Sequence, residues 1–214
     1  MNASVAVLPH DLLWGLPVHA LADDAPSWVA EALSLGHPVV VRRAVCSADK
    51  IAVGVRGQQR EQRYATLIKC ADVQRQVQPE QLIHVESQEG RDWPALRALA
   101  QVRPLMEDLG LVWGVSGSAG FELASGLAAL HRDSDLDLIL RTPQFFSREQ
   151  AAELVRVLDA TMTRTGCRID LQLQVPGGGM ALREWAGPAR KVLLKTSEGA
   201  CLLSDPWRLI EHAA

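Results

Sequence analysis

The sequence predicts an α/β (α+β) chain, with a small N-terminal α/β domain over residues 1–86 and a second domain over 93–214. Three observations carry this expectation. Residues 111–141 read as strand, turn and strand. An apolar run over 111–115 ends in Ser116, Gly117 and Ser118; later Asp135, Leu136, Asp137 and Leu138 alternate acid with aliphatic before the fully apolar Ile139 and Leu140. Residues 147–162 place Ala151, Leu154, Val155 and Leu158 at helical spacing behind Ser147 and Gln150, the two members of a capping box. Three short strand-forming runs, 39–45, 50–56 and 63–69, fill the first part, and the polar, glycine-containing stretch 87–92 links it to the second.

In chain order, a short apolar segment is followed by a helix beginning at Pro26, with Gly36 as its stop. Arg42 and Arg43 stand near the end of the first strand, and Gly57, Gln58 and Gln59 turn the second strand into the third. The polar, glutamine-rich segment after Ala71 predicts a helix before Pro79. A further helix is expected over 94–109, kinked or split by Pro104, and another over 121–130 despite Gly126. Gly166 is placed to stop the 147–162 helix, after which 168–175 alternates as a strand and Pro176, Gly177, Gly178 and Gly179 turn the chain. A short helix over 180–185, a hairpin of 191–195 with 200–203, and a terminal helix opened by Asp205, Pro206 and Trp207 complete the expectation.

Composition excludes several classes. The 22 Lys and Arg are outnumbered by 25 Asp and Glu, for a formal net charge of −3. A general nucleic-acid binder would carry a basic excess instead. No apolar run approaches the ~20 residues a membrane-crossing helix needs. Residues 1–15 lack the basic start and long apolar core of a secretory signal, so a cytoplasmic location is expected. The four cysteines, Cys46, Cys70, Cys167 and Cys201, form no C-x-x-C pair, which argues against a zinc site or redox dithiol and for buried free thiols.

The chemistry concentrates in the acids. Asp135 and Asp137 point to one face of their strand and Leu136 and Leu138 to the other, with the two acid Cα atoms about 6.8 Å apart. Carboxylates so placed can converge on a hard cation, which prefers oxygen ligands. The competing reading is that they cap a strand or shape a turn. A third acid, Asp170, alternates with Ile169 and Leu171 on a later strand, and an exposed strand acid explains it equally well. Asp133 shares parity with Asp135, and His131 lies near, although a turn residue and a surface histidine account for both. Backbone N–H groups around Gly117 and Ser118, near a helix N-terminus, can hold phosphate oxygens. Lys191 and Lys195 can help neutralise a triphosphate, though solvated lysines are commonplace.

Gly117 and Ser118, followed by Asp135, Leu136, Asp137 and Leu138, resemble the signature of the nucleotidyltransferase superfamily, with a spacer, 119–134, longer than in most members. A resemblance covering nearly the whole chain is to the phosphoribosyl-dephospho-CoA transferases, the holo-acyl-carrier-protein synthases of malonate decarboxylase. It is carried by the ordered set of His10 to Trp14, Pro38 to Arg43, Val53 to Gly57, the Gly-Ser and Asp-Leu-Asp pair, Ile169 to Gln172, Arg183 to Ala186, and Asp205 to Trp207.

The resemblance implies a nucleotidyltransferase-like second domain, with a mixed sheet and flanking helices. It implies a metal-dependent enzyme that moves phosphoribosyl-dephospho-CoA from triphosphoribosyl-dephospho-CoA to a serine of an acyl carrier protein, releasing pyrophosphate. Asp135, Asp137 and Asp170 would be catalytic and would hold Mg²⁺ (or Mn²⁺), and Gly117 and Ser118 would bind the donor. Asp170 is expected on the side of the sheet that carries Asp135 and Asp137, as a metal ligand or as acceptor of the attacking hydroxyl's proton. The partners expected are the malonate decarboxylase carrier subunit and the donor, with no nucleic acid and no membrane. The residues alone support only transfer at a phosphate. A nucleotidyltransferase using an ordinary nucleoside triphosphate, or a non-catalytic carrier-binding module, remain alternatives. Arg42, Arg43, Arg56, Arg60 and Arg63 crowd a short span and suit phosphate or an acidic carrier, against the plain reading of a solvated basic face.

Overall fold

The computed structural model describes residues 6–59, 61–86 and 92–208. The chain divides into two compact units, 1–78 and 79–214. The division therefore falls before Pro79 rather than after residue 86. The 3-10 turn Pro79–Leu82 belongs with the second unit, where Pro79 and Glu80 lie against Gly114 and Glu80 pairs with Arg141. Most of the expected link, residues 87–91, lies outside the described residues.

Among its described residues the first unit is a five-stranded sheet with one α-helix. Its strands are β1 (Leu12–Trp14), β2 (Val39–Val41), β3 (Lys50–Arg56), β4 (Arg63–Lys69) and β5 (Arg75–Val77), in the order β4-β3-β2-β1-β5, every pairing antiparallel. The helix α1 (Ser27–Ser34) contributes Val29 and Ala32 to a core with Leu13, Val39, Val41, Val53, Val55 and Ile68. Two expectations are corrected here. The first long strand stops at Val41: the Arg42 N–H still reaches Ala52 O at 2.9 Å, but its side chain crosses Gly54 and the chain leaves the sheet. The helix expected before Pro79 is instead a 3-10 turn, Cys70–Asp72, and the edge strand β5. There Arg75 pairs with Trp14 and stacks 4.4 Å over its ring, and the Gln76 amide donates to Asp11 at 2.7 Å. Pairing at a sheet edge overrides the local preference of a polar stretch.

The second unit holds α2 (Pro94–Glu107), β6 (Trp113–Val115), α3 (Gly117–Ser125), β7 (Leu136–Arg141), α4 (Arg148–Thr165), β8 (Ile169–Val175), β9 (Gly178–Ala181), α5 (Leu182–Ala186), β10 (Val192–Lys195) and β11 (Ala200–Leu203). Its six strands run in the order β11-β10-β9-β8-β7-β6. Only β7 and β8 pair in parallel, so the sheet is mixed, as expected. Parallel neighbours need a crossover long enough to return the chain to the same end, and α4 supplies it. Its Ser147–Gln150 capping box is formed in full, and Gly166 ends it. With α2 packed against α4, the apolar faces of both helices are buried.

Local sequence misled at three points in this unit and at the cysteines of both units. Pro104 does not split α2; Pro104 and Ala100, whose carbonyl loses its N–H partner, are both exposed, so water can replace the missing bond. The helix expected over 121–130 begins at Gly117 and is closed by Gly126 at φ 74°. The supposed turn of Pro176 and three glycines uses only Pro176 and Gly177. Gly178 already belongs to β9, where a Cβ would overlap the Lys195 carbonyl, so glycine serves a close strand approach there. Of the cysteines only Cys167 is buried; Cys46 and Cys70 are exposed. The Asp205 side chain accepts the Trp207 N–H at 3.1 Å, as a helix-opening cap would, and the residues beyond Arg208 lie outside those described. Among the described residues no helix is long and apolar enough to cross a membrane.

Candidate active site

Strand direction assembles the site. β6 runs antiparallel to β7, so the exit of β6 at Val115 lies beside the entry of β7, with Val115 opposite Leu138. β8 runs parallel to β7, so its entry lies there too, and Asp137 and Asp170 are direct register partners. Register partners on neighbouring strands project to the same face. Burial confirms the parity: Asp135, Asp137 and Asp170 are half-buried, while Leu136, Leu138, Ile169 and Leu171 are buried at 0–5% exposure. The three acids named from sequence therefore stand on one sheet face at one end.

The Gly-Ser pair is the first turn of α3. Ser116 is its N-cap residue, and the Ser116 N–H donates to Asp137 O at 2.9 Å, which ties the helix start to the acid strand. Gly117 sits at φ 61°, a conformation that side chains resist. A Cβ there would also overlap Oδ2 of Asp137. Glycine is thus required twice, once by the backbone and once by the carboxylate occupying its side-chain space. A carboxylate beside a helix N-terminus is stabilised by the first-turn N–H groups and the helix dipole. The same groups suit phosphate oxygens.

Asp170 has a partner that sequence reasoning passed over. Arg168, two residues earlier on the same face, brings Nε to 3.2 Å and 3.1 Å from the two Asp170 oxygens, with side-chain exposures of 63% and 36%. Arg168 also adjoins the acid pair, since its carbonyl accepts the Leu136 N–H at 2.8 Å. The signal was present as an arginine of matching strand parity. Among the described residues no three His, Cys, Asp or Glu side chains are gathered as a ready-made metal cage. The donor set at the strand entry is oxygen only. That suits Mg²⁺, which is usually held by one or two carboxylates completed by water and substrate phosphate oxygens. Asp135 and Asp137 fit such a site, and Asp170 fits it only by leaving Arg168.

The connection between α3 and β7 is anchored from within. Glu122, 7% exposed, accepts the N–H groups of Ala129 and Leu130 at 2.7 and 2.8 Å. Next to it, the His131 N–H donates to Ser134 Oγ at 3.0 Å and the Asp133 N–H to His131 Nδ1 at 3.2 Å. Asp133 and His131 are exposed members of this turn. Beneath the acids, Cys167 is 3% exposed; burial pushes its thiol up, and the Asp135 and Asp137 carboxylates act in the same direction.

Within the second unit, other candidates lie apart. Lys195 pairs with Gly179, which pairs with Gln174, and so stands towards the far end of β8 from Asp170. A groove of about 880 Å³, lined in part by Thr142, Pro143 and Phe145, opens beyond the exit of β7. That is about 16 Å along the strand from Asp137. In the first unit Arg56 and Arg63 face each other across the β3–β4 pairing, as do Lys50 and Lys69. Arg43 approaches His10 at 3.5 Å, and Arg60 lies outside the described residues.

Comparison with known proteins matches both units. The family model for the phosphoribosyl-dephospho-CoA transferase MdcG N-terminal domain covers residues 8–79, and that for the C-terminal domain covers 81–206. Similar chains include a phosphoribosyl-dephospho-CoA transferase of Pseudomonas syringae pv. tomato, 60% identical over 214 residues and the whole of both chains. Another, of Pseudomonas fluorescens, is 57% identical over 207 residues and 97% of each chain. A third, of Azotobacter vinelandii, is 50% identical over 204 residues and 94% of each chain. No solved structure matches. The resemblance drawn from ordered motifs is thus borne out over both units, and the chain belongs to the phosphoribosyl-dephospho-CoA transferase family.

Proposed function

We propose that this chain is a transferase that moves the phosphoribosyl-dephospho-CoA group from triphosphoribosyl-dephospho-CoA to a serine of the malonate decarboxylase acyl carrier protein, using Mg²⁺ or Mn²⁺. The name its relatives carry supports the transferred group. The observation that carries the reaction type is Asp137, in register with Asp170 and seated against Gly117 at the start of α3.

In this reading the first turn of α3, at Gly117 and Ser118, receives phosphate oxygens of the donor, and Asp135 and Asp137 hold the cation. The bound ion would supply charge neutralisation on the phosphates. Asp170 accepts the proton of the attacking serine hydroxyl. The serine oxygen forms a bond to the innermost phosphorus, the bond from that phosphorus to the pyrophosphate oxygen breaks, and pyrophosphate leaves with the electron pair. Positioning and electrostatics carry most of the acceleration in such transfers. The test is intact-mass analysis of the carrier after incubation with enzyme, donor and Mg²⁺. Expected is a gain of one phosphoribosyl-dephospho-CoA group on a single serine, with pyrophosphate released. An unchanged carrier mass with wild-type enzyme would overturn the proposal, and transfer from ordinary nucleoside triphosphates would replace it with a broader nucleotidyltransferase.

A further inference from the structure

Four charged side chains share one patch of sheet. Asp135, Asp137 and Asp170 are negative, and Arg168 alone is positive. Three carboxylates so close repel one another and would repel a polyphosphate. Arg168 meets both oxygens of Asp170 through Nε only, while Nη1 and Nη2 make no hydrogen bond to another described residue. An exposed ion pair of this kind holds weakly and exchanges readily. The outward edge of a guanidinium matches two phosphate oxygens at once.

We propose that Arg168 binds the donor's polyphosphate and is held in readiness by Asp170, which it releases when phosphate arrives. The proposal rests on the transfer reaction above and adds to it a phosphate-binding residue and a reason for the pairing. One group then serves two states. In the resting site Arg168 neutralises the carboxylate that would otherwise stand unpaired beside Asp137. In the donor complex it neutralises phosphate, and Asp170 is freed for the incoming hydroxyl.

Inorganic tripolyphosphate is the probe, titrated by calorimetry into the full chain with and without Mg²⁺, alongside donor KM and kcat in the carrier assay. R168A should weaken tripolyphosphate binding and raise donor KM by about tenfold, with kcat changed less and melting temperature unchanged. R168K should recover part of the affinity, because it restores charge but not the fork. Without metal, D170N should bind tripolyphosphate more tightly than wild type because it frees Arg168, and the gain should be lost when R168A is added; a gain that survives R168A would come from lost carboxylate repulsion and would count against the assignment. Unchanged tripolyphosphate affinity and donor KM in R168A would overturn the assignment and leave the transfer reading intact. If tripolyphosphate binding depends on Arg168 while wild-type enzyme modifies no carrier, the Arg168 assignment stands and the acceptor is wrong.

Discussion

Charged side chains in this chain live under two opposite conditions. Asp11 is fully buried, and its Oδ2 accepts the Leu8 N–H at 2.9 Å and the Gln76 amide at 2.7 Å. Glu122 is 7% exposed and closed by two backbone N–H groups. At the entry of β7, by contrast, Asp135, Asp137 and Asp170 stand half-open to water on one face. Burying a carboxylate is costly unless donors replace its water, and once they do, the carboxylate is locked in place. The enclosed acids therefore hold backbone in position, whereas the open ones remain within reach of solvent. The same division separates cations. Arg141 pairs with Glu80 at 2.7 Å with side chains only 16% and 21% exposed, whereas Arg63 stands exposed opposite Arg56.

The sharpest break would come at the open acids. Asp137→Asn and Asp135→Asn each remove an ionised oxygen while keeping side-chain shape. Each should cut transfer at least about a thousandfold, ~4 kcal/mol of barrier, with the fold retained. Mass-detected transfer and a thermal melt read the two effects, and near-normal turnover by both variants at saturating Mg²⁺ would remove the metal assignment.

The enclosed acids should behave in the reverse way. Glu122→Ala strands the N–H groups of Ala129 and Leu130, a loss of about 2–4 kcal/mol of unfolding free energy in urea titration. If it proved as harmless to stability as Asp137→Asn, the distinction between enclosed and open carboxylates would fail.

A smaller effect is expected from the open cations. Arg56→Glu with Arg63→Glu exchanges one like-charge pair facing across β3 and β4 for another, so folding should change little. Carrier association should slow roughly three- to tenfold, and rising salt should mimic the defect in wild type. The plain alternative is that basic residues on the edge strand β4 merely discourage pairing with other chains. Separate carrier and donor titrations decide the matter, since normal carrier binding with lost donor affinity would move the patch to the phosphate site.

The smallest effect tests an acid at an exposed helix start. Glu149 is held below its ordinary value by its own backbone N–H and then by the Ser147 hydroxyl. A depressed carboxyl adds stability that is present above the unfolded value, around pH 4.3, and that fades as pH falls through the lower folded value. Ser147→Ala should cost about 1 kcal/mol and flatten part of this acid dependence, as seen in urea titrations at pH 7 and pH 4.

What could be read in advance follows from range. The capping box of α4, the hairpin of β10 and β11, and the alternation around Asp135 and Asp137 are written in neighbouring residues, and each was legible. The strand β5 was not, because its reason for being extended lies in Trp14 and Asp11, more than sixty residues earlier. The strand β9 was hidden because its first glycine, Gly178, answers to the Lys195 carbonyl and not to a turn. Asp170 could be named from its own alternation and from the family resemblance, but its seat opposite Asp137 depends on the crossover through α4. Arg168 went unremarked because nothing local sets it apart from other strand-end arginines.

The parallel pairing of β7 and β8 makes the site sensitive to counting. A strand slipped by one residue turns every side chain to the opposite face. Deleting a single residue between Gly166 and Asp170 would direct Asp170 into the apolar layer and bring Ile169 and Leu171 out beside Asp137. Removing two would restore the face yet shift the carboxylate by about 6.6 Å along the strand. The short join from α4 to β8 thus acts as a fixed spacer, which can tolerate exchange of side chains but not a change in their number.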